Sequence, residues 1–377
     1  MKNKILIIGL FLCSIQSFGQ HLVKTEKIEI KINKNIELLG LAYFIGFEGV
    51  DIENKTVEVD GKTLRKKDWH NYGFKIYQEY ASFASSENLA RCFGVADHLW
   101  LDYINAFLLQ VENVPNAKLT DTVEEKYYLS FSKEKNAKEA KENAEIFLDG
   151  LNLFSIEIAF DSYLTKSKDY YNKVMEEIER GLPDTSFVNA MESFYNRSFD
   201  KYLLVPSLTI PKGMGFAVKN LNNNEKEVYN IFGALGVQEF EDKENLKMGF
   251  ADQEKLRELS VHEFGHSFVN PIIAKLPDSL FIKTERLFEP IKSAMSDQGY
   301  NTWKVCVYEH FVRAGEIIIA EKVGKNKNAE KLLADYQGKR QFNYIPEIII
   351  ELRKYDNGLY HSYYEAVENA MERLKKL

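Results

Sequence analysis

The sequence predicts an α+β fold, predominantly helical, with a small antiparallel sheet packed on one central helix. Three observations carry this. Apolar residues recur at helical spacing through most of the chain. Short β-rich stretches lie near the start and again between Tyr202 and Phe232. The stretch Glu254–Pro271, EKLRELSVHEFGHSFVNP, joins helical periodicity to a histidine pair at metal-ligand spacing. At 377 residues, 45% apolar and 28% charged, the composition is that of a globular protein.

Residues 1–19 read as a secretory signal peptide, which predicts a secreted or periplasmic protein. Lys2 and Lys4 form its charged start, Ile5–Ile15 its apolar core, and Ser17-Phe18-Gly19 its cleavage site. The apolar run is too short to span a bilayer. The formal charge of −7 argues against nucleic acid or an anionic membrane as a partner. Beyond the leader, Cys92 and Cys306 stand far apart in no CxxC or Cys/His cluster, so separate buried thiols are predicted rather than a disulfide or a metal site.

Lys27–Ile36 alternates charged and apolar residues and predicts a strand with one wet face. Leu38–Phe47 fits helix or strand, and Val57–Asp60 a brief strand ending in a turn at Gly61. From Trp69 to about Val111 the pattern is helical and aromatic, as at Tyr72, Phe74, Tyr77, Tyr80 and Phe83, and predicts a packing surface between helices. His70 and His98 have no partner at ligand spacing there and read as packed or surface residues. A mixed-charge run at Lys133–Lys141 opens a helix continuing through Ile146–Phe160, and Lys168–Gly181 is another. No repeat and no flexible linker divides the chain. We therefore distinguish a mainly helical part, 20–195, from a part at 196–377 that carries the His262/His266 pair, with no clean boundary between them.

Tyr202–Ile210, Gly213–Lys219 and Glu227–Phe232 are short and β-rich, with turn residues between them, and predict an antiparallel meander. An edge strand of such a sheet can hold an extended peptide by main-chain hydrogen bonds. In the next helix Leu256, Leu259, Val261, Phe264 and Phe268 bury one side, and Asn270-Pro271 predicts its end. Gly265 costs about 1 kcal/mol in a helix interior, so a close approach by another group is expected there. Beyond it, helices are predicted over Asp278–Gln298, Thr302–Val323, Ala329–Gln337 and Glu347–Leu377, the last broken near Asn357-Gly358.

His262 and His266, four residues apart, sit roughly 40° apart on one helix face and can bind one Zn2+. Glu263 leans to the side of that face, where it can take a proton from water activated by the metal. Catalytic zinc needs a third protein ligand. The extended HExxHxxGxxH pattern is excluded, because Val269 and Ile272 stand where its glycine and third histidine would be. A glutamate on a later helix remains, with Glu285, Glu289, Glu309 and Glu316 as candidates. Glu309 is favoured because its helix, NTWKVCVYEHFVRAGEIIIAEKVG, is otherwise largely apolar. Glu285 and Glu289 have the shorter spacing of thermolysin-like enzymes, but Lys283 and Arg286 beside them suggest a solvated face. Arg313 could orient Glu309, bind a developing oxyanion, or form a plain i,i+4 ion pair. His310 could be a transition-state donor, an alternative ligand or a packed residue.

HEFGHSFVNP followed by YEHFVRA resembles a family of secreted bacterial proteins of unassigned function, grouped with the gluzincin-like metallopeptidases. The similarity runs from about residue 27 onward. It implies a zincin-like core, one zinc and peptide-bond hydrolysis, carried onto His262, Glu263, His266 and Glu309. The thermolysin pattern has an aspartate four residues after the glutamate ligand; here Arg313 stands in that place, so the support around the metal must differ. A secreted zinc metallopeptidase acting on peptides or proteins is thus the expectation. A catalytically weak zincin-fold binding protein, or a zinc hydrolase of another amide or ester, shares the same residues.

Overall fold

In Ile28-Glu29-Ile30 the alternating pattern makes a strand with both isoleucines fully buried, but it stops sooner than the alternation suggests. The cause is Asn33, whose Oδ1 accepts from the Asn35 and Ile36 amides and caps a helix where the strand was expected to continue. The computed structural model describes residues 23–24, 27–59, 61–220 and 226–377. The leader expected at 1–19 lies outside them.

The elements that matter here are β1 (Val23–Lys24), β2 (Ile28–Ile30), α1 (Lys34–Tyr43), and a hairpin of β3 (Thr56–Val59) and β4 (Lys62–Arg65). After them come α2 (Ala137–Glu157) and α3 (Lys168–Gly181), then β5 (Lys201–Pro206), β6 (Gly215–Asn220) and β7 (Glu227–Phe232). The chain closes with α4 (Gln253–Ile273), α5 (Trp303–Lys322), α6 (Asn326–Gly338), α7 (Ile345–Asp356) and α8 (Tyr363–Leu374). The fold is α+β and predominantly helical. None of the helices among the described residues is long and apolar enough to cross a membrane.

The predicted meander is corrected. The main sheet has five strands in the order β1-β2-β5-β7-β6, and β5 pairs with β7 in parallel, Leu203 opposite Tyr229. Of the three strands expected to form the meander, only β6 and β7 are antiparallel neighbours, with Gly215 opposite Phe232. The reason lies in the side chains. Tyr202, Leu203, Leu204 and Val205 are all buried, and a strand apolar on both faces belongs inside a sheet. Ser207 then ends it, its Oγ accepting from the Thr209 and Ile210 amides to form a turn. The chain therefore crosses to the edge for β6 before returning to β7.

β2 pairs in parallel with β5, so residues from both expected parts share one sheet. A single hydrophobic cluster runs from Ile28 to Leu374. The early aromatics pack as expected, Tyr72 meeting Tyr170 and Phe240 edge-on. Cys92 and Cys306 are separate buried thiols. Two helix bounds differ from expectation. Pro271 lies inside α4, which runs on to Ile273, because a proline near a helix end sacrifices one main-chain bond. Asp278–Gln298 is a series of short turns and helices, broken where Pro290 offers no amide hydrogen.

Glu37 of α1 is fully buried, its Oε2 accepting from Tyr171 Oη at 2.7 Å and Thr209 Oγ1 at 3.3 Å. Burial outweighs these bonds and pushes the carboxyl up from 4.5 to about 7. The unfolded chain therefore releases this proton first, so Glu37 lowers stability progressively as pH rises from 4.5 to about 7. Glu37→Gln should gain in urea midpoint relative to wild type between pH 5 and pH 8. A difference independent of pH would contradict the burial argument.

Candidate metal centre

Asp252 starts α4 by accepting from the Lys255 amide at 3.0 Å. Phe264 packs on Tyr202 of β5, and Phe268 on Phe199 and Tyr195, which anchors the apolar face of α4 to the sheet. That anchoring turns His262 and His266 toward α5. The close approach expected at Gly265 is that of Val312: a Cβ on the glycine would lie 3.4 Å from Val312 Cγ1.

On α5 the spacing of Glu309, Arg313 and Glu316 places them on one face, and all three are buried. His262 Nε2 lies 3.4 Å from His266 Nε2 and 3.3 Å from Glu309 Oε1, while His266 Nε2 lies 3.6 Å from Glu309 Oε2. Each imidazole is held from behind. His262 Nδ1 donates to Glu316 Oε1 at 2.6 Å, and His266 Nδ1 donates to Asn270 Oδ1 at 3.3 Å. With the protons at Nδ1, both Nε2 atoms present lone pairs to the same space. Three ligands about 2.0–2.1 Å from a tetrahedral centre stand roughly 3.4 Å apart, so the donor set and its spacing fit a metal ion. His262, His266 and Glu309 form a cluster that could hold one.

Glu309 is braced in turn. Arg313 Nη2 donates to its Oε1 at 2.7 Å and Tyr300 Oη donates to the same atom at 2.9 Å. Burial acts to raise the Glu309 carboxyl, but Arg313, His262 and His266 outweigh it and hold it at about 2. Arg313 itself stacks between Tyr336 and Phe342, 4.8 and 4.7 Å from the ring centres. Tyr336 Oη donates to Glu316 Oε2, closing the network behind His262. Burial lowers His266 to about 4. Burial acts the same way on His262, but Glu316 and Glu309 reverse it and raise that ring.

Glu263 is buried on the same helix, beside the start of β6. A Cβ at Gly215 would come within 2.6 Å of Glu263 Oε1, so glycine there makes room for the carboxylate. Burial pushes this carboxyl up to about 7, with Glu309 and Glu316 adding to the shift and His262 opposing it. The alternation of the β6–β7 ladder turns the amides and carbonyls of Gly215 and Ala217 away from β7, toward the outer edge of the sheet, where Tyr127 Oη donates to the Lys219 carbonyl at 3.3 Å.

Four of the six predicted site residues thus come together around one point, with Arg313 behind Glu309 as its orienting partner. His310 stands apart from the cluster. Its Nδ1 donates to the Cys306 carbonyl at 2.7 Å, and its ring packs against Phe342, Tyr344 and Trp303. Glu285 and Glu289 are exposed on the short turns after α4. Glu316, weighed only as a ligand, instead orients His262. Asn270, Tyr300, Tyr336 and Gly215 were not anticipated. Asn270 alone carried a signal, being one turn beyond His266.

What the fold and geometry define is a predominantly helical α+β protein with a buried two-histidine, one-carboxylate cluster. The chain belongs to the family described as a domain of unknown function (DUF4932), which matches residues 28–370. No curated protein and no solved structure matches it.

If Glu316 fixes the His262 tautomer, Glu316→Ala should weaken metal binding about 10- to 100-fold, as for other partners of ligating histidines. Glu285→Ala should leave it unchanged. Competition with a chromophoric chelator measures both, and equal effects would contradict the assignment.

Proposed function

We propose that the protein is a zinc-dependent metallopeptidase of the gluzincin-like kind, exported by its leader and acting on peptides or proteins outside the cytoplasm. The observation that carries this is the convergence of two imidazole Nε2 atoms and the Glu309 carboxylate beside a buried Glu263 and the edge strand β6. Imidazole with one carboxylate is the donor set of catalytic zinc, which would supply a Lewis acid for the scissile carbonyl and favour ionisation of water.

The chain's own residues then divide the work. His262, His266 and Glu309 hold the ion, while Glu316 and Asn270 fix the ring tautomers. Arg313 and Tyr300 keep Glu309 ionised and aimed, and act through it rather than on substrate. Glu263 accepts the proton of the attacking water and returns it to the leaving nitrogen. The outward amides and carbonyls of Gly215 and Ala217 hold the substrate main chain as an added strand.

Glu263→Gln should keep stoichiometric zinc yet lose peptide hydrolysis by several orders of magnitude, because an amide cannot accept the proton. Metal analysis and digestion of a peptide library measure the two. Retained hydrolysis would remove Glu263 as the base. Zinc binding without turnover in the wild type would favour a binding protein built on the same site.

Gly215→Ala tests the contact between helix and strand. The added methyl must displace the Glu263 carboxylate, so kcat should fall at least about tenfold while zinc content holds. Full activity would show that Glu263 does not need that position.

A further inference from the structure

The segment that enters β6 carries a cation, Lys212, that no acid pairs with among the described residues. Lys212 stands three positions before Gly215, so it lies within about 10 Å of chain from the place where Glu263 meets the strand. Its Nζ sits over the Trp69 ring, 3.9 Å from the centre, and its backbone amide donates to His70 Nδ1 at 3.2 Å. Gly213 follows with a φ of +81° and lies against the same indole. The nearby acid Glu48 is taken by Lys66 at 2.6 Å. Lys212 is half-buried, and among the described residues the charged group that acts on it is another cation, Lys255, whose own ammonium lies 3.8 Å from Asp252 Oδ2. Burial and Lys255 both lower its affinity for a proton.

A cation partly removed from water beside a second cation is destabilised, and an anion arriving there recovers that cost. Trp69 and His70 fix the position of Lys212, so the ammonium is presented rather than left to wander in solvent. A peptide added alongside β6 advances at the same rise per residue as the strand itself. Its residues near the cleaved bond therefore pass this point.

We infer that Lys212, held on Trp69, is a specificity subsite for a carboxylate carried by the substrate within about three residues of the cleaved bond. Either an acidic side chain or the free C-terminus of a short peptide supplies that chemistry. The inference rests on the peptidase reading above, since it takes the ligand to lie along β6.

The test uses full-length zinc-loaded protein carrying Glu263→Gln, so that bound peptides survive, and reads fluorescence anisotropy of labelled peptides. One series moves a single glutamate along an amidated neutral peptide, with glutamine at the same position as its twin. A second compares free-acid and amidated ends on a peptide without acidic side chains. The expected result is that at least one carboxylate-bearing member binds about tenfold tighter than its neutral twin. Which series shows it identifies the source of the carboxylate. Adding Lys212→Met should reduce the preference to less than about twofold, and Lys212→Arg should keep most of it.

Equal binding of every acid and neutral pair overturns the subsite without any reference to a Lys212 variant, and so does a preference that survives Lys212→Met. Binding of no peptide overturns it as well. Cleavage of the neutral peptides by wild type separately decides the peptidase reading, so the two can fail independently.

Discussion

Two imidazole nitrogens with their protons directed elsewhere, facing each other at 3.4 Å and a carboxylate at 3.3–3.6 Å, are the constraint on which this structure depends. Lone pairs and negative charge directed at one small space repel unless a cation or a proton lies between them. The surrounding residues make that arrangement hard to relax. Glu316 and Asn270 occupy the Nδ1 atoms, so neither ring can turn its proton inward without losing a bond. Arg313 and Tyr300 bind one oxygen of Glu309 and keep the carboxylate from swinging away.

The fold supplies the rigidity. α4 lies between the sheet and α5, anchored on one side by Phe264 and Phe268 and packed on the other at Gly265 against Val312. Sequence-distant groups then reach the site by short paths. Tyr336 on α6 bonds Glu316, and Tyr300 reaches Glu309 from just before α5. Gly215 lets the edge strand come close enough for a carboxylate on the helix to touch it. The buried arginine stays charged because Glu309 pairs with it and two aromatic faces cover it.

The histidines were legible because their spacing has a geometric meaning on a helix. Glu309 was legible because an acid amid valines, isoleucines and alanines needs a positive partner. The roles of Glu316 and Tyr336 were not, since an acid and a tyrosine on separate helices carry no local sign of meeting. The same division holds for the fold. Helices with strong periodicity fall close to their predicted bounds, as at Lys168–Gly181 and Trp303–Lys322. The strand order failed because β-rich stretches joined by turns suggest a meander, whereas the unbroken apolar run of β5 requires a central position. Pro271 misled in the other direction: the main-chain bond it removes is tolerated near the end of α4, and Asn270 before it is used on His266.

X-ray absorption at the zinc edge of the purified protein tests the central claim most directly, because it reads the donors themselves. The account predicts a four-coordinate ion with two imidazoles and the remaining positions filled by oxygen at about 2.0–2.1 Å. A spectrum without imidazole scattering, or one with sulfur ligands, would contradict it.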